Sequence, residues 1–161
     1  MHPIRVSVVI ERPREEIFEY LADVANHPEF KDHFLGDWHL TREDTVGEGA
    51  GVRFRERAPF NRFSWADYTL VDVDPPFRLR ERGRLGKYNR VRAMGTWTLT
   101  EGPGGLTRVE YELDVEPRYP SDRLAIRRGW RRRKLARMVR RIKTILEENR
   151  DRGGRVTVAA R

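Results

Sequence analysis

Ile4, Val6, Val8 and Ile10 alternate with Arg5, Ser7 and Glu11, the period of a strand with one buried face, and predict a strand over 4–11. Pro13 then stands where a first helical turn tolerates proline, and Glu15 and Glu16 suit the positive end of a helix dipole. Ile17, Phe18 and Leu21 form an apolar stripe, so a short helix is expected to end near Asp23. Pro28 marks a fresh start inside ANHPEFKDHF, where Phe30 and Phe34 lie one helical turn apart and Gly36 is the expected stop. From 38 to 116 the pattern changes to strands punctuated by turns. The segments are WHLTRED, VRFRERA, RFSWADYTLVDVD, FRLRERGRLG, the run containing Val91, Ala93, Gly95, Trp97 and Leu99, and the run containing Val109, Tyr111, Leu113 and Val115. These six antiparallel strands each have one wet face. A long amphipathic helix is expected over 121–150, with Leu135, Met138, Val139, Ile142, Ile145 and Leu146 as its buried stripe and Gly129 as a possible kink. Arg152-Gly153-Gly154 ends it, which leaves 1–150 as one domain and 151–161 as a basic tail.

One strand, two short helices, six strands and a long helix make an α+β domain whose curved sheet has only that helix to cover its concave face. In this order the chain resembles the helix-grip superfamily of START domains, the birch-pollen allergen and the polyketide cyclase/dehydrase-like proteins (the SRPBCC class). The resemblance covers about residues 4–148. It is carried by I-x-R-P-x-E-x-I-F-x-x-L-A-D-V-x-x-x-P-x-F from Ile10 to Phe30, by V-G-x-G-A at 46–50, and by V-x-V-D-P-P-F-R-L at 71–79. It implies a seven-stranded curved antiparallel sheet gripping the C-terminal helix, and a cavity that binds lipids, quinones, steroids or polyketides or catalyses cyclisation and dehydration. The fold alone leaves the function open.

Charge narrows the choice little. From Arg118 onward there are 16 Lys+Arg against 4 Asp+Glu, while the rest of the 161 residues are slightly acidic, so the net charge of +8 is local to the C-terminal helix. Arg133, Arg137, Arg140 and Arg141 are expected on its outward face, where weak, salt-sensitive contact with RNA, the ribosome or an anionic membrane is possible. An arginine-rich solvated helix face explains the same residues. The chain has no cysteine, which excludes disulfides, thiolate metal sites and thiol nucleophiles. No apolar run reaches the ~20 residues of a membrane span, and a cytoplasmic location is expected. His27, His33 and His39, six apart, fit no metal pattern, and the glycines at 47–51 lie between strands and not in a phosphate loop. No metal and no cofactor is expected, and the sequence implies no particular stable protein partner.

The informative residues are acids on apolar strand faces. If Phe54 and Leu79 point into the grip, then Glu56 and Glu81 do too, because residues two apart share a face. Asp67 joins them if Val71 and Val73 set the inward face of its strand. A carboxylate there is costly unless paired, hydrated or protonated. One explanation is an ion pair with a helix arginine, such as Arg127, Arg128 or Arg131, or a place at the wet end of the cavity. The other is a polar anchor for a ligand hydroxyl, or a general acid or base. Phe54, Trp65, Asp67, Leu79, Trp97, Tyr111 and Met138 are the expected ligand contacts, and Glu56 and Glu81 the candidate catalytic groups. The leading expectation is binding of a small apolar ligand. A cofactor-independent cyclase/dehydrase-type enzyme and a surface-binding role for the basic helix are the alternatives.

Overall fold

The computed structural model describes residues 3–57, 65–117, 119–120 and 130–148. Strand β1 (Ile4–Ile10) is followed by helices α1 (Arg14–Ala22) and α2 (His27–Lys31). Strands β2 (Leu35–Leu40), β3 (Gly51–Glu56), β4 (Trp65–Asp74), β5 (Arg78–Leu85), β6 (Val91–Glu101) and β7 (Thr107–Glu116) come next, and helix α3 (Trp130–Glu148) closes the order. The expected Gly129 kink, the first part of the expected long helix and the tail at 151–161 lie outside the described residues.

The strands form one seven-stranded antiparallel sheet in the order β1-β7-β6-β5-β4-β3-β2. Consecutive strands from β2 to β7 pair with their neighbours, and β1 joins the far edge beside β7, with Val6 opposite Tyr111. The fold is therefore the α+β architecture that the alternation of the chain predicts, in the helix-grip arrangement that the resemblance implies. Both helices between β1 and β2 fall where expected, but Gly36 does not stop α2. The helix ends at Lys31, and Gly36 lies inside β2, opposite Arg55. Asp37, in the left-handed region at φ 52°, carries the irregularity that follows in that strand.

All six apolar residues of the α3 stripe, Leu135, Met138, Val139, Ile142, Ile145 and Leu146, are buried. The end of the helix is tied to the end of β1. The Arg12 guanidinium donates to the Leu146 carbonyl at 3.0 Å, and the Glu11 amide donates to the Glu147 carboxylate at 2.7 Å. Lys143 also donates to the Val9 carbonyl at 2.9 Å. The first of these satisfies a carbonyl that a helix end otherwise leaves without a partner, and all three hold the helix beside the first strand while its other end borders the cavity.

Strand β4 corrects the expectation for Trp65 and Asp67. Two of its residues, Val71 and Asp72, fit between the pairs Leu70 with Glu81 and Val73 with Leu79, where Arg80 supplies the single partner. Such a bulge reverses which residues face inward. Val73 packs against the core, yet on the other side of the bulge the inward residues are Ala66, Tyr68 and Leu70. Trp65 and Asp67 consequently face outward. Asp67 pairs with Arg53 at 2.6 Å on the outer surface, and Trp65 is 40% exposed.

Candidate functional site

The inward faces of β5 and β6 carry two glycines where strands ordinarily carry side chains. A Cβ on Gly95 would lie 2.5 Å from the Tyr111 hydroxyl and 2.7 Å from the Glu81 Cγ, and one on Gly83 would lie 2.7 Å from the Tyr68 ring. All three distances are closer than such atoms approach. These glycines thus leave the space in which Glu81, Tyr111 and Tyr68 lie across the sheet. Gly95 is directly opposite Glu81 and Gly83 opposite Tyr68, so each vacancy is filled from the neighbouring strand.

Over this floor, between sheet and helix, is a cleft lined by Lys31, Phe34, Phe54, Glu56, Tyr68, Glu81, Leu85, Tyr111 and Leu113, with Arg131, Lys134, Leu135 and Met138 from α3. Its empty volume is about 530 Å³ when the open mouth is counted, but a water-sized sphere can centre itself in only about 50 Å³. The smaller figure governs what fits without movement, because the larger one includes space already open to solvent. In this state the cleft admits a few waters or one small ring. Met138, an unbranched and adaptable side chain, forms part of the wall that a larger occupant would displace.

At the floor Glu81 is 1% exposed. The Tyr111 hydroxyl donates to its Oε1 at 2.7 Å, and Lys31 Nζ lies 3.5 Å from its Oε2. Lys31 Nζ is also 3.1 Å from His27 Nδ1, while His27 Nε2 is 2.9 Å from the Leu21 carbonyl. A carbonyl only accepts, so Nε2 carries the proton and Nδ1 accepts from the lysine. Burial pushes His27 well below the usual histidine range, and the neighbouring Lys31 charge adds to that. Burial likewise lowers Lys31, against the opposing pull of Glu81. The Tyr111 phenol is pushed well up by burial and then by the Glu81 charge, and burial raises Tyr68 as well. Both phenols therefore remain neutral donors at ordinary pH.

A second acid and amine stand nearer the mouth. Lys134 Nζ is 3.6 Å from Glu56 Oε1, with side-chain exposures of 14% and 19%. The same amine lies 5.3 Å from the centre of the Phe34 ring. Burial brings Lys134 down to about 8, with Glu56 opposing and Arg131 reinforcing the shift.

Of the residues expected at the site, the structure brings Phe54, Glu56, Glu81, Tyr111 and Met138 together around the cleft. Leu79 and Trp97 are fully buried one layer below, where Trp97 packs on Tyr111 at 4.3 Å between ring centres. Trp65 and Asp67 are on the other face of the sheet. The acids do have cationic neighbours, but these are lysines, one of them on α2. Arg127 and Arg128 lie outside the described residues, and Arg131 borders the cleft. The arginines expected in one outward row divide. Arg133, Arg137 and Arg140 are exposed. Arg141 instead pairs with Asp32 at 2.8 Å and donates to the Glu29 carbonyl at 3.0 Å. Arg140 turns toward a groove shared with Arg5, Arg108 and Arg132. Sequence reasoning missed Lys31, His27, Tyr68 and Lys134.

A sheet gripping a terminal helix over a cleft of this composition is matched by sequence across residues 1–147. The chain belongs to the polyketide cyclase/dehydrase and lipid transport family. Solved structures show how widely this family's fold is shared. Truncated norcoclaurine synthase from Thalictrum flavum superposes with a TM-score of 0.72 at 14% identity, over 91% of this chain and 94% of that one. A protein from Deinococcus radiodurans gives 0.64 at 18% identity, over 92% and 99%. A protein of the dynemicin biosynthetic locus gives 0.56 at 23% identity, over 91% of this chain but 48% of its own length. At these identities the likeness is one of fold. No curated protein matches the chain in sequence. Among the described residues no helix is long and apolar enough to cross a membrane, and no group of His, Asp and Glu could hold a metal ion.

Proposed function

We propose that this family member binds a small apolar ligand, of lipid-, quinone- or polyketide-like character, in the cleft between the sheet and α3. The observation that carries this reading is the Gly83–Gly95 vacancy, which seats three buried polar groups beneath walls of Phe34, Phe54, Leu85, Leu113, Leu135 and Met138. Apolar walls supply affinity through burial, and a few polar groups at one end fix orientation, the usual division of labour in a ligand site. The Tyr111 hydrogen is committed to Glu81, but the Lys31 ammonium has a third hydrogen beyond those directed at His27 and Glu81, so the end of the ligand that reaches it carries a carbonyl or hydroxyl oxygen. Native mass spectrometry of the protein purified from its host tests this reading. A co-purified apolar molecule carrying such an oxygen supports it. Bare protein that also gives no saturable tryptophan response to an apolar fluorescent probe contradicts it.

The second reading is a cofactor-independent enzyme of the cyclase/dehydrase type, favoured by the continuous Tyr111–Glu81–Lys31 array. A carboxylate flanked by a phenol and an amine can take a proton from a carbon next to a carbonyl, while the donors hold the developing oxyanion. Glu81→Gln distinguishes the two readings. It abolishes turnover of a carbonyl substrate while leaving probe binding largely intact if Glu81 moves a proton. It changes only stability and affinity if the site merely binds.

A further inference from the structure

The chain draws its positive charge almost wholly from arginine. Only four of its 33 Lys+Arg are lysine, at 31, 87, 134 and 143. Two of those four, Lys31 and Lys134, line the cleft. Arginine makes the better ion-pairing partner for a carboxylate, through its two-pronged guanidinium, but it does not lose its proton in a protein. An amine does, and its free form is a nucleophile toward carbonyl carbon.

The two amines differ in what holds them. Lys31 directs its hydrogens to His27 and Glu81, and it sits 5.6–5.9 Å from the centres of the Phe30, Tyr68 and Trp97 rings, which favour a cation. Lys134 stands nearer the mouth, where a ligand enters, with Leu135 and Met138 beside it on the cleft wall and Glu56 3.6 Å away. Arg131, one turn earlier on the same helix, lines the same space. An apolar wall and a second cation are the two features that free an amine for imine formation, and the carboxylate beside it is placed to move protons.

We propose that Lys134 condenses with the carbonyl of a small apolar aldehyde or ketone held in the cleft, giving an imine, with Glu56 moving the protons. The inference rests on the ligand-binding reading above and specifies the ligand's reactive group. The Lys134 ammonium first gives one proton to Glu56 and the free amine attacks the carbonyl carbon; Glu56 then gives its proton to the oxygen as it takes one from the nitrogen, leaving a carbinolamine and a protonated Glu56. That proton goes to the departing hydroxyl, which releases one water, forms C=N and returns Glu56 to the carboxylate. No oxidant or reductant is needed, and the protonated imine carries the same charge as the ammonium it replaces. The depression of Lys134 to about 8 supports the step. At pH 7 such an amine is free in about one molecule in ten, against about one in several thousand for an ordinary lysine.

The test is incubation of the whole folded protein with benzaldehyde and sodium cyanoborohydride, which reduces and fixes any imine, followed by peptide mapping. Mapping is required because the α-amino group, with a usual value of about 8, reacts as well. We expect labelling at Lys134 at least about tenfold faster than at Lys87 or Lys143. Its rate rises through about pH 8, and benzyl alcohol, which has the ring but no carbonyl, slows it. Lys134→Arg keeps the charge and removes the adduct. Glu56→Gln lowers the plateau rate and moves the midpoint of the pH profile downward, because Glu56 holds the Lys134 value up. Equal labelling of the lysines, or labelling of Lys31 in place of Lys134, overturns the proposal. An unchanged plateau in Glu56→Gln overturns the role of Glu56. If benzyl alcohol perturbs tryptophan emission saturably but benzaldehyde leaves no adduct, the imine falls and the binding reading stands. If neither compound binds, both fall.

Discussion

The cleft holds two acid and amine pairs that differ less in separation than in surroundings. Glu81 and Lys31 are 3.5 Å apart, Glu56 and Lys134 3.6 Å. The first pair is enclosed and has further partners in Tyr111 and His27. The second is partly open to water at the mouth. The Glu56 and Lys134 side chains keep part of their exposure, although the Lys134 amine nitrogen itself is buried, whereas at the floor each charge depends on the other and on a fixed set of donors. The floor is thus built to hold one arrangement, while nearer the mouth burial has brought the Lys134 amine down to about 8.

Removing one member of the floor pair should have the largest effect. Lys31→Met is expected to cost about 3–5 kcal/mol in chemical denaturation, because Glu81 is left buried beside only a phenol. The double change Lys31→Met with Glu81→Leu should recover much of that loss, since apolar replacement of a buried pair is often close to neutral. Failure of the double change to recover would show that the Tyr111 and His27 contacts carry the region instead.

Gly95→Ala comes next, at about 1–3 kcal/mol, the usual cost of overfilling a packed interior. Its Cβ would meet the Tyr111 oxygen at 2.5 Å and the Glu81 Cγ at 2.7 Å, so the Tyr111–Glu81 contact must shift. Denaturation together with probe affinity reads this, and both should fall.

His27 gives the floor a pH dependence with a definite sign. Its folded value lies well below the usual 6.5, so the unfolded chain binds a proton that the folded one refuses. The contribution is intact above about pH 6.5 and is lost as pH falls below it, with a limiting slope of about 1.4 kcal/mol per pH unit. Urea melts at pH 7 and pH 5.5 should show the loss, and ¹⁵N spectra should show the His27 ring still neutral with its proton on Nε2 while the protein remains folded. A folded state with protonated His27 at pH 5.5 would break the assignment.

The mouth should yield the smallest change. Lys134→Met is expected to cost about 1 kcal/mol or less, because loss of the Glu56 pair is offset by removal of an amine that burial disfavours as a cation. A loss as large as that of Lys31→Met would erase the contrast between the two pairs.

The strands and the helix stripe were legible because one-sided burial writes a period into the sequence. The inward places of Glu56 and Glu81 followed from Phe54 and Leu79 by parity alone. The same parity misplaced Trp65 and Asp67, because a bulge adds one residue without leaving a pattern in composition. Lys31 and His27 were illegible for another reason. They sit on a five-residue helix, too short for a face to declare itself, and their burial depends on a strand fifty residues away. Lys134 read as one more cation on a basic helix, and only its place beside Glu56 and Phe34 sets it apart.

The central claim is that the cleft accepts an apolar ligand on the inner face of the sheet. The methionines offer the most direct measurement, because Met138 lines the cleft while Met94 lies on the outer face among Arg82, Arg84 and Arg92. With ¹³C-methyl methionine and benzyl alcohol as titrant, the account predicts a saturable shift of the Met138 signal and a stationary Met94. Two stationary signals, or two that drift together without saturating, would contradict it.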